Sequence, residues 1–354
     1  LLRAVVRTIL IVINNIYTTI PYCIWLLLIS PIKPINQDLY FKIEEILYGW
    51  LISVVTVWSW SAGYNIIEMG DLLTPCSTTG KILILVNHQS TADVLILMAF
   101  FNANKYIKNV MWIMDWIFYI THFGAISYLH GDLFILSGSH KREEAQKRLK
   151  DHINTIFLPS NKKFIVLFPE GGFLRKRREL SKRYAAEHNI SNTIVNVALP
   201  RTGAVQTIMK VLKFQLDETN YYLNNEINKM KWVLDITIAY ENGIPLDLFN
   251  ILTGWRKPCK VYILYRLFPA SQIPEGDADV TKWLYNLWEE KDKILDTFYN
   301  QEMPPKYCPM CNKDAELQYP TEIKQNIIGL IVANVFYLLS TYLHYRLIKI
   351  NFLS

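Results

Sequence analysis

Hydrophobic and polar positions divide the chain into two kinds of territory. Long uncharged runs stand towards both ends: Thr8 to Ile32 lies between Arg7 and Lys33, and Asn326 to Tyr345 is followed by Arg346 and Lys349. A further run, Ile46 to Ile67, sits between Glu45 and Glu68 and holds Trp50, Trp58 and Trp60. Each is long enough to enter or cross a bilayer, and tryptophans suit its interface. The runs predict a membrane-associated helical hairpin over 1–70 and a C-terminal transmembrane helix and tail over 321–354. No small-residue cleavage site follows the first run, which therefore reads as an uncleaved anchor rather than a signal peptide.

Between 71 and 320 the pattern shortens. Lys81–Asn87, Lys163–Pro169, Val233–Tyr240 and Cys259–Phe268 are β-rich apolar runs of strand length. Ser139–Phe157 carries Ala145, Leu149, Ile153 and Phe157 at helical spacing on an otherwise polar segment. Val110–Leu129 reads as a core helix followed by a strand, and Glu218–Lys229 as a polar surface insertion. Alternating strands and helices argue an α/β catalytic domain: a central mixed sheet flanked by helices.

Composition sharpens this picture. The 354 residues are 51% hydrophobic and only 19% charged, with mean hydropathy +0.13, more apolar than an ordinary soluble enzyme. A net charge of +6 suits anionic headgroups, anionic cofactors or nucleic acid. The basic residues do not interleave with aromatic ones as nucleic-acid binding would require, so no nucleic-acid partner is expected. Five scattered cysteines argue against a disulfide framework. Cys308 and Cys311 have the spacing of a metal knuckle, but no second pair completes four ligands, and no metal is expected.

Two strand ends carry polar chemistry. His88 and Asp93 follow the run Lys81–Asn87, where a helix should begin. Five residues along a helix turn through about 140°, so the pair can meet only if His88 precedes the first turn. A carboxylate so placed would fix the imidazole tautomer and stabilise its protonated form. Taken alone, a His and Asp at this spacing are more often structural than catalytic. Absence of a G-x-S-x-G elbow leaves a serine hydrolase without support, so a base at His88 would act on a hydroxyl of the substrate. The second strand end, Phe168 to Glu179, sets Pro169 and Glu170 before Gly171 and Gly172, and then Arg175, Lys176, Arg177 and Arg178. Glycines allow close backbone approach and guanidinium groups bind phosphate, although a basic run of this size also fits a solvated face.

These residues resemble the glycerolipid acyltransferases related to the acylglycerol-phosphate acyltransferases. Asn87–Asp93 is similar to their NHxxxxD motif, Phe168–Gly172 to FPEG, His130–Ile135 to the GxxF block, and Val197–Ala204, with Pro200, to the fourth block. The flanks, from Tyr48 onwards, look like the lysophosphatidylglycerol acyltransferase branch. The resemblance implies a membrane enzyme of the endoplasmic reticulum that uses acyl-CoA as co-substrate, without a further cofactor, to re-acylate a lysophospholipid. It implies His88 as general base and Asp93 as its orienting partner. Glu170, Gly171 and Gly172 would lie at the acceptor or the developing charge, and Arg175 to Arg178 at CoA phosphates. It also sets Trp112, Trp116 and Phe118 beside the path of the acyl chain. Two departures bear on the acceptor. The chain has Leu136 and Ser137 where the family carries an arginine after the second block, and Gly172 and Phe173 where EGTR or EGTS is common. Fewer fixed guanidinium groups favour a phosphodiester, lysophosphatidylglycerol or lysophosphatidylethanolamine, over lysophosphatidic acid, unless Arg175 or Arg201 substitutes. Monoacylglycerol or lysophosphatidic acid as acceptor, and an inert lipid-binding membrane protein, are the alternatives.

Overall fold

The computed structural model describes residues 1–77, 80–135, 141–187, 194–213, 225–300, 308–310 and 319–352. Two long helices open the chain, α1 (Leu2–Ile29) and α2 (Gln37–Ala62), followed by β1 (Tyr64–Gly70), the short α3 (Thr74–Ser77), β2 (Lys81–Val86) and α4 (Ala92–Ala103). Then come β3 (Val110–Asp115), α5 (His122–His130), β4 (Leu133–Ile135), α6 (Arg142–His152), β5 (Phe164–Leu167), α7 (Leu174–Glu187), α8 (Thr202–Leu212) and β6 (Met230–Tyr240). The chain closes with α9 (Leu248–Thr253), β7 (Cys259–Pro269), α10 (Asp277–Asn300), β8 (Thr321–Glu322) and α11 (Ile327–Phe352).

Eight strands form one mixed sheet in the order β4-β3-β5-β2-β6-β7-β1-β8. The strands from β4 to β6 run parallel, β7 is antiparallel to β6 and parallel to β1, and β8 is antiparallel to β1. Every residue of β2 is buried, as expected of a parallel strand covered on both faces. Alternation then sorts the side chains. Ile82, Ile84 and Val86 face a core shared with α1, α2 and α4, whereas Leu83 and Leu85 face one shared with α6, α8 and α10. The crossover from β2 leads one way, to β3, and the crossover from β5 leads the other way, to β6. Their neighbouring C-terminal ends therefore form the switch point where open α/β sheets place ligands.

All four sequence-predicted strands are present, as β2, β5, β6 and β7. Two expectations need correction. The uncharged run Ile46–Ile67 is not one helix: Gly63, with φ of 90°, ends α2 after Ala62, and the rest enters the sheet as β1. The order within Val110–Leu129 is reversed, since the strand β3 comes first and α5 follows a 3₁₀ turn at Trp116–Ile120. β-branched and bulky residues at Val110–Met114 favour the pleat, and the Thr121 side chain caps α5 by accepting from the Gly124 N–H at 3.2 Å. The sheet also takes β1 from the first 70 residues and β8 from the last 34, so it ties both flanks to the catalytic segment.

Two helices are long and apolar enough to cross a membrane, Leu2–Ile32 and Ile327–Ile350. The helix α2 packs against α1, α4, α9 and α11, and near its start Glu44 is buried. Of the insertion Glu218–Lys229, residues 218–224 fall outside the described residues, as do Leu136, Ser137 and Cys311. Among the described residues no cluster of His, Cys, Asp or Glu is arranged to hold a metal ion.

Candidate active site

The loop between β2 and α4 is pinned before it turns. Asn87 continues the strand with its side chain: Nδ2 donates to the Ile238 carbonyl at 3.1 Å and Oδ1 accepts the Ile238 N–H at 2.7 Å. Gln89 Nε2 donates to the same carbonyl at 3.0 Å and to the Tyr299 hydroxyl at 2.9 Å. Asp93 sits in the first turn of α4, where the free N–H groups favour an anion. Its Oδ2 accepts the N–H groups of Gln89 at 2.7 Å and Ser90 at 2.9 Å, and His88 Nδ1 at 2.9 Å. Oδ1 accepts the Tyr240 hydroxyl at 2.5 Å. His88 precedes the helix and the loop folds back over the carboxylate, which removes the 140° separation of a continuous helix.

Asp93 is fully buried, whereas the His88 side chain keeps 12% of its surface exposed. With Nδ1 donating to the carboxylate, Nε2 carries the lone pair, and no described residue hydrogen-bonds it. The ring stacks on Phe168, centroids 4.2 Å apart, and meets Phe173 edge-on at 4.6 Å. Its main chain is held as well: the N–H donates to Glu170 Oε1 at 3.1 Å and the carbonyl accepts the Leu174 N–H at 2.8 Å. The imidazole is thus a fixed ring with one nitrogen open.

Glu170 lies between these elements and faces inward. It is 1% exposed; Oε1 accepts from His88 N–H and from Trp288 Nε1 at 3.2 Å, and Oε2 from the Ala198 N–H at 3.1 Å. Burial pushes its carboxyl up to about 8, against the pull of those donors. The structure gives it a bracing position, joining the β2 and β5 loops to α10. Beyond it the chain turns at Gly171 and Gly172, with φ of 67° and 150°, values that side chains rarely adopt. A Cβ on Gly171 would stand 3.1 Å from Arg201 Nε and 3.2 Å from Arg177 Nη2.

The basic cluster separates on this geometry. Arg177 is half-buried and its Nε donates to the Glu170 carbonyl at 3.1 Å; burial lowers the pKa of its guanidinium, with the Glu170 charge opposing. Arg201 joins it from the start of α8, where its N–H donates to the Pro169 carbonyl at 2.7 Å, next to the buried Pro200. Arg175, Lys176 and Arg178 are exposed on α7. The block His130–Ile135 lies elsewhere: His130 and Asp132 sit at the N-terminal ends of β3 and β4, the opposite end of the sheet from His88. Of the three aromatics placed beside the acyl chain, Trp112 is buried, while Trp116 and Phe118 are exposed.

Sequence reasoning missed Tyr240, Trp288, Phe168 and Phe173 as parts of this site. Tyr240 ends an apolar strand and Trp288 lies on an amphipathic helix, so in sequence both look like core residues. Only Phe168 and Phe173, which flank the Pro169–Gly172 turn, were near a motif.

Comparison with known proteins agrees with the geometry. Residues 71–219 match a family model described as acyltransferase, and residues 250–326 one described as acyltransferase C-terminus. The human acyl-CoA:lysophosphatidylglycerol acyltransferase 1 is 33% identical over 99% of this chain and 94% of its own length. Its mouse counterpart is 33% identical over 98% and 94%, and mouse lysocardiolipin acyltransferase 1 is 24% identical over 77% and 68%. A buried carboxylate holding an open imidazole at the switch point lies inside the matched segment, and a relative one-third identical spans nearly the whole chain: the protein belongs to the acyltransferase family.

Proposed function

We propose that the protein transfers an acyl group from acyl-CoA to the free hydroxyl of a lysophospholipid in the endoplasmic reticulum membrane, lysophosphatidylglycerol or lysophosphatidylethanolamine being the favoured acceptors. The observation that carries this reading is the open Nε2 of a His88 ring fixed on all other sides. Since no described hydroxyl or thiol of the protein is bonded to Nε2, the nucleophile belongs to the acceptor. Its O–H proton passes to Nε2 as its oxygen bonds to the thioester carbonyl carbon. Collapse of the tetrahedral intermediate breaks the C–S bond, and Nε2 returns the proton to the leaving CoA sulfur. The buried Asp93, bonded to Nδ1, stabilises the imidazolium between these steps.

Arg177 and Arg201, which converge on Gly171, suit the acceptor's phosphate, and the exposed Arg175, Lys176 and Arg178 suit the phosphates of CoA. A relative of this chain is named for lysophosphatidylglycerol and another for lysocardiolipin, both phosphodiesters. The test is purified protein with one labelled acyl-CoA and a panel of lysophosphatidylglycerol, lysophosphatidylethanolamine, lysophosphatidic acid and monoacylglycerol, with His88→Ala as blank. Transfer to the diesters above the blank supports the reading. Preference for lysophosphatidic acid or monoacylglycerol overturns the acceptor class, and no His88-dependent transfer favours an inert lipid-binding protein.

A further inference from the structure

One helix reaches three separate segments of the site. Along α10, Trp288, Asp292, Leu295 and Tyr299 recur at helical spacing and so share one face. Trp288 and Tyr299 stand eleven residues apart on it, roughly 16 Å at the rise of an α-helix. Trp288 Nε1 donates to Glu170 Oε1 at 3.2 Å, in the loop after β5. The Tyr299 hydroxyl accepts from Gln89 Nε2 at 2.9 Å, in the loop after β2. Between them Asp292 faces the segment that leads to Arg201: its Oδ1 accepts the N–H groups of Val195 at 2.9 Å, Asn196 at 2.5 Å and Val197 at 3.3 Å. The helix itself is seated on β6 by the fully buried Lys291, whose Nζ meets Asp235 Oδ1 at 2.5 Å and donates to the Ile236 carbonyl at 2.5 Å.

The three contacts act on different parts of the chemistry. Residues 194–201 form neither helix nor strand, so their N–H groups depend on partners from outside the segment. After the three taken by Asp292, the Ala198 N–H goes to Glu170 Oε2 and the Leu199 N–H to Ser181 Oγ at 2.6 Å. The segment ends at Arg201, whose side chain stands against Gly171. Asp292 therefore fixes the backbone from which that guanidinium projects. Tyr299 bears on the other half of the site. Gln89 is held by the Tyr299 hydroxyl and the Ile238 carbonyl, and its own N–H donates to Asp93 Oδ2 at 2.7 Å. Loosening Gln89 thus loosens one of the donors that hold the carboxylate against His88.

We propose that α10 is the positioning element of the site, with Asp292 fixing the segment that carries Arg201 and Tyr299 fixing the His88 loop, so that the base and the arginine keep one separation. The assignment of Arg201 to the acceptor and of His88 to proton transfer rests on the function proposed above. The test uses the full chain in detergent, with acyl-CoA saturating and lysophosphatidylglycerol varied. Asp292→Ala is expected to raise KM for the lysophospholipid about tenfold with kcat within about twofold. Asp292→Asn keeps an oxygen for the same N–H groups and should bring KM back to within about twofold. Tyr299→Phe is expected to lower kcat about fivefold, the worth of one hydrogen bond, with KM unchanged. A general loss of folding would not divide the two constants in this way. Parallel changes in both constants, no change in either, or a KM that stays raised in Asp292→Asn overturns the positioning roles. Amide hydrogen exchange of the same proteins, followed by mass spectrometry, reads the tethering without turnover. Exchange roughly tenfold faster is expected across Val195–Val197 in Asp292→Ala and across Gln89–Ser90 in Tyr299→Phe, each variant leaving the other segment as it was. Unchanged exchange in both overturns the tethering. If the unaltered chain transfers to no lysophospholipid, the proposed function falls, and the exchange rates alone decide whether α10 holds the two segments.

Discussion

Among the described residues two histidine–carboxylate pairs stand at opposite ends of one sheet, and only one of them keeps a ring nitrogen open. His88 and Asp93 meet at 2.9 Å beyond β2, with Nε2 open. His130 and Glu44 meet at 2.6 Å below β3 and β4, and both ring nitrogens are engaged: Nδ1 with Glu44, Nε2 with the Val110 carbonyl at 3.0 Å and Lys162 Nζ at 2.8 Å. Tyr48 lies flat on the second ring with centroids 3.4 Å apart, and the side chain has no exposed surface. Burial lowers the pKa of Lys162 there, with Glu44 and Asp132 opposing. Since Glu44 belongs to α2 while His130 and Lys162 flank the strands, this second pair fastens the N-terminal hairpin to the catalytic sheet. Identical chemical groups thus stand open or fully engaged according to whether the second nitrogen meets solvent.

The largest contrast should come from removing each imidazole. His88→Ala is expected to lower transfer about a thousandfold or more with its unfolding midpoint unchanged, measured as turnover and as a thermal melt in the same detergent. Asp93→Asn should cost about a thousandfold in kcat, because the amide can still accept from the loop N–H groups but carries no charge to stabilise the imidazolium. His130→Ala should do the opposite, losing about 3 kcal/mol of stability as the buried Glu44 loses its imidazole partner while turnover per folded molecule stays within about twofold. Loss of turnover without loss of stability in His130→Ala would break the distinction between the two ends.

Smaller changes sharpen it. Tyr240→Phe removes the donor to Asp93 Oδ1 and should lower kcat about tenfold, as expected for a hydrogen bond to a charged group, with both KM values unchanged. Glu170 bears on pH. Its folded carboxyl holds a proton up to about 8 that the unfolded chain releases near 4.5, so the stability due to that proton is complete below 4.5 and is lost as pH rises to about 8. Glu170→Gln should flatten the pH dependence of the melting temperature across this window; an unchanged slope would show that Glu170 is ionised throughout.

Legibility followed the range of the interactions. The apolar runs of β2, β5, β6 and β7 announce themselves because a strand buried on both faces has no polar alternation to obscure it. His88 and Asp93 were readable because the contact is local, five residues apart and bridged by the N–H groups between them. Tyr240 reaches Asp93 across 147 residues and Trp288 reaches Glu170 across 118, and neither sits in a pattern distinct from ordinary core. Glu170 lies in a motif that the sequence shows, but the three donors from three elements that turn it inward are not legible there. For Val110–Leu129 an even apolar composition hid the order of strand and helix, which β-propensity at the start and a threonine cap in the middle decide.

From its amino-acid order alone the chain determines two helices long and apolar enough to cross a membrane, an α/β core, and a histidine and its carboxylate at one strand end, because these depend on composition, period and neighbours along the backbone. The tertiary structure decides which of two histidines keeps a free nitrogen, which arginines of a basic run converge on the glycine turn, and that one helix far along the chain reaches three segments of the site. Those properties come from strand order, since parallel strands bring their C-terminal ends together whatever their separation along the chain.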